Sequence, residues 1–362
     1  AVSTGAPDFL ADATPGTPNA DVRVWTASPV EFDVIHGVRT MPFDLHLSCA
    51  TTGANIRYTT DFSVPSISNG LTYTTALTIT NSTIVRAIAL VSNMLAAPVE
   101  TRTYLSLDDV LAQNANQSAL GFPDPWIDVN GAARSADYAM DQRVVGNNRF
   151  RDMLIETISN YPTLSLVTDM SSLFSSNSGI YANPRLRGDD WEPLISAEYC
   201  EGSSDPTGFA VNCGLSIQGE INRIPTKTKK HSLQLLFKAR YGPGKLRYPL
   251  FKSAGIDKHD TVILRGMFGD GWINLDSPNA SAQYLRDQFA HDCQRDMGWL
   301  CSDGEFMYVY LNGLFWGLYN ANERPDAAFM EAHIGGPRED WDVLKGNIGL
   351  HDGQLKEGSR AS

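Results

Sequence analysis

The sequence predicts a multidomain protein: an all-β sandwich followed by an α+β domain whose sheet is mainly antiparallel. Three observations carry this. Short runs alternating apolar and polar residues fill the chain from Val22 to Leu105, helix-type spacing takes over at Ser106, and strand-like runs with a few helical ones return from Thr163. At 362 residues there is room for two cores, since domains commonly hold roughly 100 to 200 residues.

Residues 1–21, "AVSTGAPDFLADATPGTPNAD", are rich in Pro, Gly, Ala and Thr and read as a linker from an upstream domain. Over 22–105 the runs "VRVWTA", "PFDLHLSC", "NIRYTT", "LTITNSTIVRAIAL" and "TRTYL" alternate with period two, as half-buried strands of a sandwich do. Residues 106–162 read as a helical connector. "SLDDVLAQNANQSA" begins with a Ser cap, and "NNRFRDMLIETISN" spaces Phe150, Met153, Leu154 and Ile158 at helical intervals. Between them "GFPDPWIDVNGAARSADYAMD" is a loop with four aspartates; a structural calcium is conceivable there, but the EF-hand spacing is absent and a solvated loop is favoured. From 163 to 362 "LSLVTD", "LISAEYC", "FAVNCGLSIQG", "HSLQLLFKA", "HDTVILRG" and "GEFMYVYLNG" read as strands. "SAQYLRDQFAHDCQRDMG" reads as an amphipathic helix with Leu285, Phe289, Cys293 and Met297 on its apolar face. The end, "NIGLHDGQLKEGSRAS", has no apolar period and is expected to continue into a longer polypeptide.

The formal net charge of −12 argues against a general binder of nucleic acid, whose affinity comes from phosphate neutralisation. The most apolar stretch, "IVRAIALVSNMLAAPV", is broken by Arg86, Ser92 and Asn93, short of the roughly 18 apolar residues of a membrane span. The five cysteines form no CxxC pair and have no histidine at metal spacing. Cys200 with Cys213, flanking a polar loop, and Cys293 with Cys301, at the ends of "QRDMGWL", are therefore expected as disulfides of an exported, extracellular or cell-surface protein.

One stretch departs from the acidic whole. From Ile221 to Ile256 there is no carboxylate and there are nine Lys or Arg. "GLSIQGEINRIPTKTKKHSLQLLF" reads as strand, polar turn, strand, gathering Arg223, Lys227, Lys229 and Lys230 around the turn. Cations beside exposed backbone amides suit a di- or triphosphate; an edge hairpin kept soluble by lysines fits equally well. About ninety residues on, "VYLNGLFWGLYNANERPD" carries an Asn-Gly turn between two strand-like runs, with Glu323 at the end of the second. A strand lysine held by a distant glutamate is the arrangement by which protein kinases aim an ammonium at nucleotide phosphates. HExxH, GxSxG and GxxxxGK[ST] motifs are absent, and the seven histidines are scattered.

These blocks support two resemblances. "GANIRYTTDFSVPS" followed by "YTTALTITNSTIVRAIAL" resembles the immunoglobulin-like domain at the C-terminus of chitobiases and beta-hexosaminidases, a non-catalytic spacer or adhesion module, with Phe62 where that family has Gly. "PDFLADATPGTPN" is similar to the exit of a lamin-tail-like domain. From about 179 to 347, "GIYANP", "WEPLISAEY", "GFAVNCGLSIQGEINR", "KKHSLQLLFKARYGPGKLRYPLF", "VILRG", "YLRDQF" and "YVYLNGLFWGLYNANERPD" follow in order the blocks of the CotH (spore-coat) family of atypical protein kinases. The resemblance implies ATP with magnesium or manganese as cofactor, Lys230 as phosphate lysine, Glu323 as its ion-pair partner, Arg223 in the nucleotide-binding turn and Arg286 as a further family arginine. His231 stands where the family often has its lysine, so Lys229 and Lys230 both remain open for the inward position. The family's catalytic and metal-binding aspartates come after the last of these blocks. Asp340 and Asp342 in "REDWDVL" read as a solvated acidic turn, so no catalytic base or metal ligand is assigned.

The implied function is the nucleotide-binding portion of a secreted protein Ser/Thr kinase. A surface structural or adhesive protein on a non-catalytic kinase-like scaffold is the alternative. Carbohydrate binding through tryptophans ranks below both, because the seven are dispersed. The protein substrate or surface partner is not named by the sequence.

Overall fold

The computed structural model describes residues 26–128, 130–202, 207–252, 255–271 and 281–345, with the backbone of 9–10, 23–24 and 354–357. The expected linker at 1–21 lies outside them apart from β1 (Phe9–Leu10), which pairs with β2 (Arg23–Val24).

The first unit is a sandwich. One side is a five-stranded sheet in the order β4 (Gly37–Val38), β11 (Glu100–Leu105), β10 (Thr83–Leu90), β7 (Asn55–Thr59), β8 (Leu71–Thr72). The other is two pairs, β3 (Val30–Phe32) with β6 (Leu47–Cys49) and β5 (Phe43–Leu45) with β9 (Leu77–Ile79). Strand alternation sends Val85, Ala87 and Ala89 of β10 into the core with Val30, Leu45, Leu47, Ile56 and Ile79. Ile84 points the other way, onto Val167 of the second unit, which explains why β10 is apolar on both faces.

The connector holds α1 (Leu107–Leu111), capped by Ser106, a short hairpin of β12 (Trp126–Ile127) and β13 (Ala133–Arg134), α2 (Gln142–Val145) and α3 (Asn148–Asn160). Asn147 caps α3 by accepting from the amides of Arg149 and Phe150. Only the second half of the expected stripe on α3 packs: Ile158 is buried, while Phe150 and Met153 are exposed.

The second unit is a closed barrel, which the sequence did not announce. Its strands are β14 (Thr163–Val167), followed by α4 (Met170–Phe174), β15 (Leu194–Cys200), β16 (Gly208–Gln218), β17 (Ser232–Leu236), β20 (Thr261–Arg265), β21 (Gly304–Leu311) and β22 (Leu314–Glu323). They run in the order β14-β15-β16-β17-β20-β22-β21. All pairs are antiparallel except the closing one, β14 with β21, where Leu164 lies opposite Val309. A separate pair, β18 (Leu246–Phe251) and β19 (Ile256–His259), lies outside the barrel's ladder but adds Leu246, Leu250 and Phe251 to the same core cluster. α5 (Arg286–Asp296) lies between β20 and β21, and α6 (Ala327–His333) follows β22. β23 (Val343–Lys345) pairs with β24 (Gln354–Glu357). The Asn-Gly turn appears between β21 and β22, with Asn312 at φ 46° and Gly313 at φ 78°, as a tight hairpin requires. Leu164, Leu166, Ala197, Leu215, Leu235 and Val309 are among the residues filling the barrel.

Where the two units meet, Thr103 of β11 donates to the carboxyl of the fully buried Glu198 on β15 through its amide (2.7 Å) and hydroxyl (2.9 Å), and the Thr103 hydroxyl lies 2.8 Å from that of Ser165. His36 reaches the Tyr199 carbonyl at 2.9 Å.

Two expectations are corrected. All five cysteines are thiols. In the β15–β16 ladder Cys213 faces Ile195 and Cys200 faces Gly208, five residues out of register and on opposite faces of the sheet, so no bond can join them. Cys213 lies in the barrel core; Cys301 points its thiol at the His291 carbonyl (3.2 Å) rather than at Cys293. Second, α5 turns its expected apolar face outward, leaving Leu285, Phe289 and Met297 more than half exposed. The barrel wall beneath it is polar, so the helix presents polar groups to it: Gln288 accepts from Asn320 (3.0 Å) and Arg295 pairs with Asp303 (2.7 Å).

Candidate functional site

The carboxylate-free stretch supplies the turn between β16 and β17. Arg223 locks this turn, donating to the carbonyls of Gly219 (2.7 Å), Pro184 (2.9 Å), Leu186 (3.1 Å) and Ile217. Burial pulls its guanidinium down to about 10, and its donors are spent on backbone, so it holds the loop rather than a ligand. His231, pushed down to about 4 by burial and hence neutral, bonds the Asn222 carbonyl at 2.6 Å. Thr228 accepts from the Lys230 amide at 3.1 Å. The lysines are thereby fixed just before β17, where strand alternation does not yet apply.

Both lysines reach one cavity of about 810 Å³. Its walls include Trp126, Tyr138, Tyr308, Phe315 and Trp316. Lys229 is loosely held by the Ala136 carbonyl at 3.4 Å. Lys230 is partly buried where it lines the cavity. It donates to the Tyr284 hydroxyl (2.6 Å) and the Leu318 carbonyl, and lies 4.4 Å from the ring centre of Tyr319 and 5.0 Å from that of Tyr284. Burial, with no carboxylate beside it among the described residues, pulls the ammonium down to about 7. Gly317, at φ +112°, leaves the space: a Cβ there would sit 3.3 Å from the lysine nitrogen.

Glu323 and Arg286 belong to a second site, a polar cleft of about 660 Å³ between α5 and the outer face of β16, β17, β20 and β22. Glu323 accepts from the Asp303 amide (3.0 Å) and from His333 (3.0 and 3.1 Å), and burial pushes its carboxyl up. Arg286 pairs with Asp270 at 3.2 Å and donates to the Ser281 carbonyl at 2.5 Å. The structure therefore does not form the expected Lys230–Glu323 ion pair. Lys230 meets β22 at Leu318, whereas Glu323 stands five residues further along the strand, roughly 17 Å at about 3.4 Å per residue. The two sites share a wall: Tyr284 and Leu285 line the cavity, and the next residue, Arg286, lines the cleft.

Tyr284, Trp316 and Asn322 were not visible as site residues. Tyr284 sits in a segment that reads as helix, and Trp316 in one that reads only as strand. The aspartates of the loop considered for calcium have separate local tasks. Asp128 accepts from the amides of Asn130 and Ala132 (each 2.9 Å) and pairs with Arg134 (2.6 Å), Asp124 accepts from the Ala136 amide, Asp141 caps α2, and Asp137 lines the cavity. Among the described residues no group of three or more His, Cys, Asp or Glu could hold a metal, and no helix is long and apolar enough to cross a membrane.

Residues 215–360 match the family model described as CotH kinase protein, and residues 45–104 match the model described as Fn3 associated. The two matches follow one another along the chain in the order expected from the sequence. The first falls within the expected immunoglobulin-like domain, and the second starts within β16, so β14 and β15 precede it. No curated protein matches the chain.

Proposed function

We propose that the chain is the nucleotide-handling part of a CotH-type phosphotransferase, and that the aromatic cavity takes the nucleotide. The base would lie among Trp126, Tyr138 and Trp316, and the phosphates would be drawn to Lys229 and Lys230. The observation that carries this reading is Lys230. Its ammonium sits among neutral oxygens and aromatic rings, and among the described residues no carboxylate pairs with it. A buried charge without a counter-ion either costs several kcal/mol or gives up its proton. A phosphate entering the cavity supplies the missing charge. Among the described residues the wall holds a single carboxylate, Asp137, against the two lysines, and the volume lies within the roughly 300–1,000 Å³ of ligand pockets.

Arg223 acts in this reading by fixing the loop, while Arg286 and Glu323 border the neighbouring cleft. The described residues offer no metal cluster, so magnesium or manganese would arrive with the nucleotide; no ligand to it is assigned and no transfer step is derived. Export to the cell surface is part of the proposal through the Fn3-associated segment, since the thiols give it no support.

Millimolar ATP with magnesium should raise the melting temperature of the wild-type protein and change its tryptophan emission. Lys230→Met should lose both responses while Glu323→Gln keeps them. An unchanged melting temperature and emission in the wild-type chain would end the nucleotide reading. A non-catalytic surface scaffold would then stand, favoured by the separation of Lys230 from Glu323.

A further inference from the structure

The polar cleft beside α5 has a feature the nucleotide reading does not use. Asn322 of β22 is 3 % exposed and lines the cleft, yet neither its amide nitrogen nor its amide oxygen has a hydrogen-bond partner among the described residues. Buried side-chain amides are almost always paired, and leaving one unpaired costs about 1–3 kcal/mol. The residue is held in place from behind: a Cβ at Gly304 would collide with the Asn322 nitrogen, so the absence of a side chain there admits the amide. Nδ1 of His291, on the α5 wall, is also buried without a partner.

We propose that this cleft binds a neutral polyhydroxylated ligand, a sugar ring whose adjacent hydroxyls pair with the donor and acceptor of Asn322. The charge pattern selects against anionic ligands, since the wall carries Asp270, Asp287 and Glu323 against Arg265 and Arg286. Arg265 is already paired with Asp287 and Arg286 with Asp270, so the wall has little uncommitted positive charge for a phosphate or carboxylate. An apolar ligand would leave Asn322 and His291 as unpaired as before. Hydroxyl groups, each both donor and acceptor, satisfy an amide and a neutral imidazole together. Half-buried Phe268, also on the wall, offers a flat apolar face of the kind on which the CH side of a pyranose packs. At about 660 Å³ the cleft is large enough for more than a single small group. A peptide unit would match one Asn amide, but Ser302 and Gln218 add hydrogen-bonding side chains around the wall, more than one backbone amide can use.

The test uses the whole chain on an array of neutral glycans, followed by titration calorimetry with the free glycans that score. Saturable binding is expected, at least tenfold weaker in Asn322→Leu and in Phe268→Ala, and unchanged in Lys230→Met. The last variant separates this site from the nucleotide cavity, because it should lose ATP and keep glycan. Phe268→Ala covers the case in which Asn322→Leu does not fold. Absence of binding to every neutral glycan, equal binding by Phe268→Ala and the wild type, or preference for a peptide library over the array would overturn the proposal.

Discussion

Lys230 illustrates what a single residue reveals and conceals. Its place in a run of cations without carboxylates is plain in the sequence, and so is its neighbourhood with Lys229. Its environment is not, because Tyr284 and Leu318 come from 54 and 88 residues away. The consequence is measurable. Burial lowers the folded-state ammonium from 10.5 to about 7, so between those values the unfolded chain binds more protons and stability rises with pH. The penalty is fully present below pH 7 and relieved toward 10.5. Each pH unit in the window is worth at most about 1.4 kcal/mol. Urea unfolding at pH 7 and pH 9 should therefore show a gain in the wild type that Lys230→Met lacks. Equal gains in both proteins would mean that Lys230 is not the titrating group.

At the scale of elements, most strands and the caps of α1 and α3 were legible because they depend on neighbours in sequence: period-two alternation, Ser106 and Asn147. α5 was legible as a helix but read inside out. Its apolar spacing fixes a stripe; which stripe is buried depends on the wall beneath. Here the wall carries Asn320, fully buried and hydrogen-bonded to Gln288. Phe289→Ser should accordingly change stability by less than about 0.5 kcal/mol. Gln288→Leu, which strands the Asn320 amide, should cost about 1–3 kcal/mol. Thermal unfolding of the two variants decides it, and the reverse order would show that α5 packs through its apolar side. The disulfide expectation failed for a similar reason: sequence spacing suggested neighbouring strands but carried no register, and the β15–β16 register sets Cys200 and Cys213 five residues apart.

Over the whole molecule, two units were readable from the change in periodicity, but the joint between them was not. It rests on Glu198, whose carboxyl is pushed up to about 7 by burial, with Arg102 pulling the other way. The folded protein therefore holds a proton that the unfolded chain releases near 4.5. The stability so gained is complete below that value and lost as pH rises through 7. Glu198→Gln should flatten the fall in melting temperature between pH 5 and 8, and an unchanged slope would exonerate the joint. The barrel also extends beyond the matched segment. A chain starting at residue 215 lacks β14 and β15 and should give an unfolded circular-dichroism spectrum, whereas the full chain should not.

The parallel pair that closes the barrel has a further consequence for how the chain comes to be folded. Leu164 must wait for Val309, 145 positions later, before the first strand of the barrel finds its last neighbour. Contacts between such distant partners form late, because the entropy of closing the loop is lost before the contact repays it. During synthesis the sandwich can complete itself while β14 presents an unpaired edge, open to the strands of another nascent copy. Dependence on that late seam makes dilution, low temperature or a chaperone matter more for the yield of this protein than its finished stability would suggest.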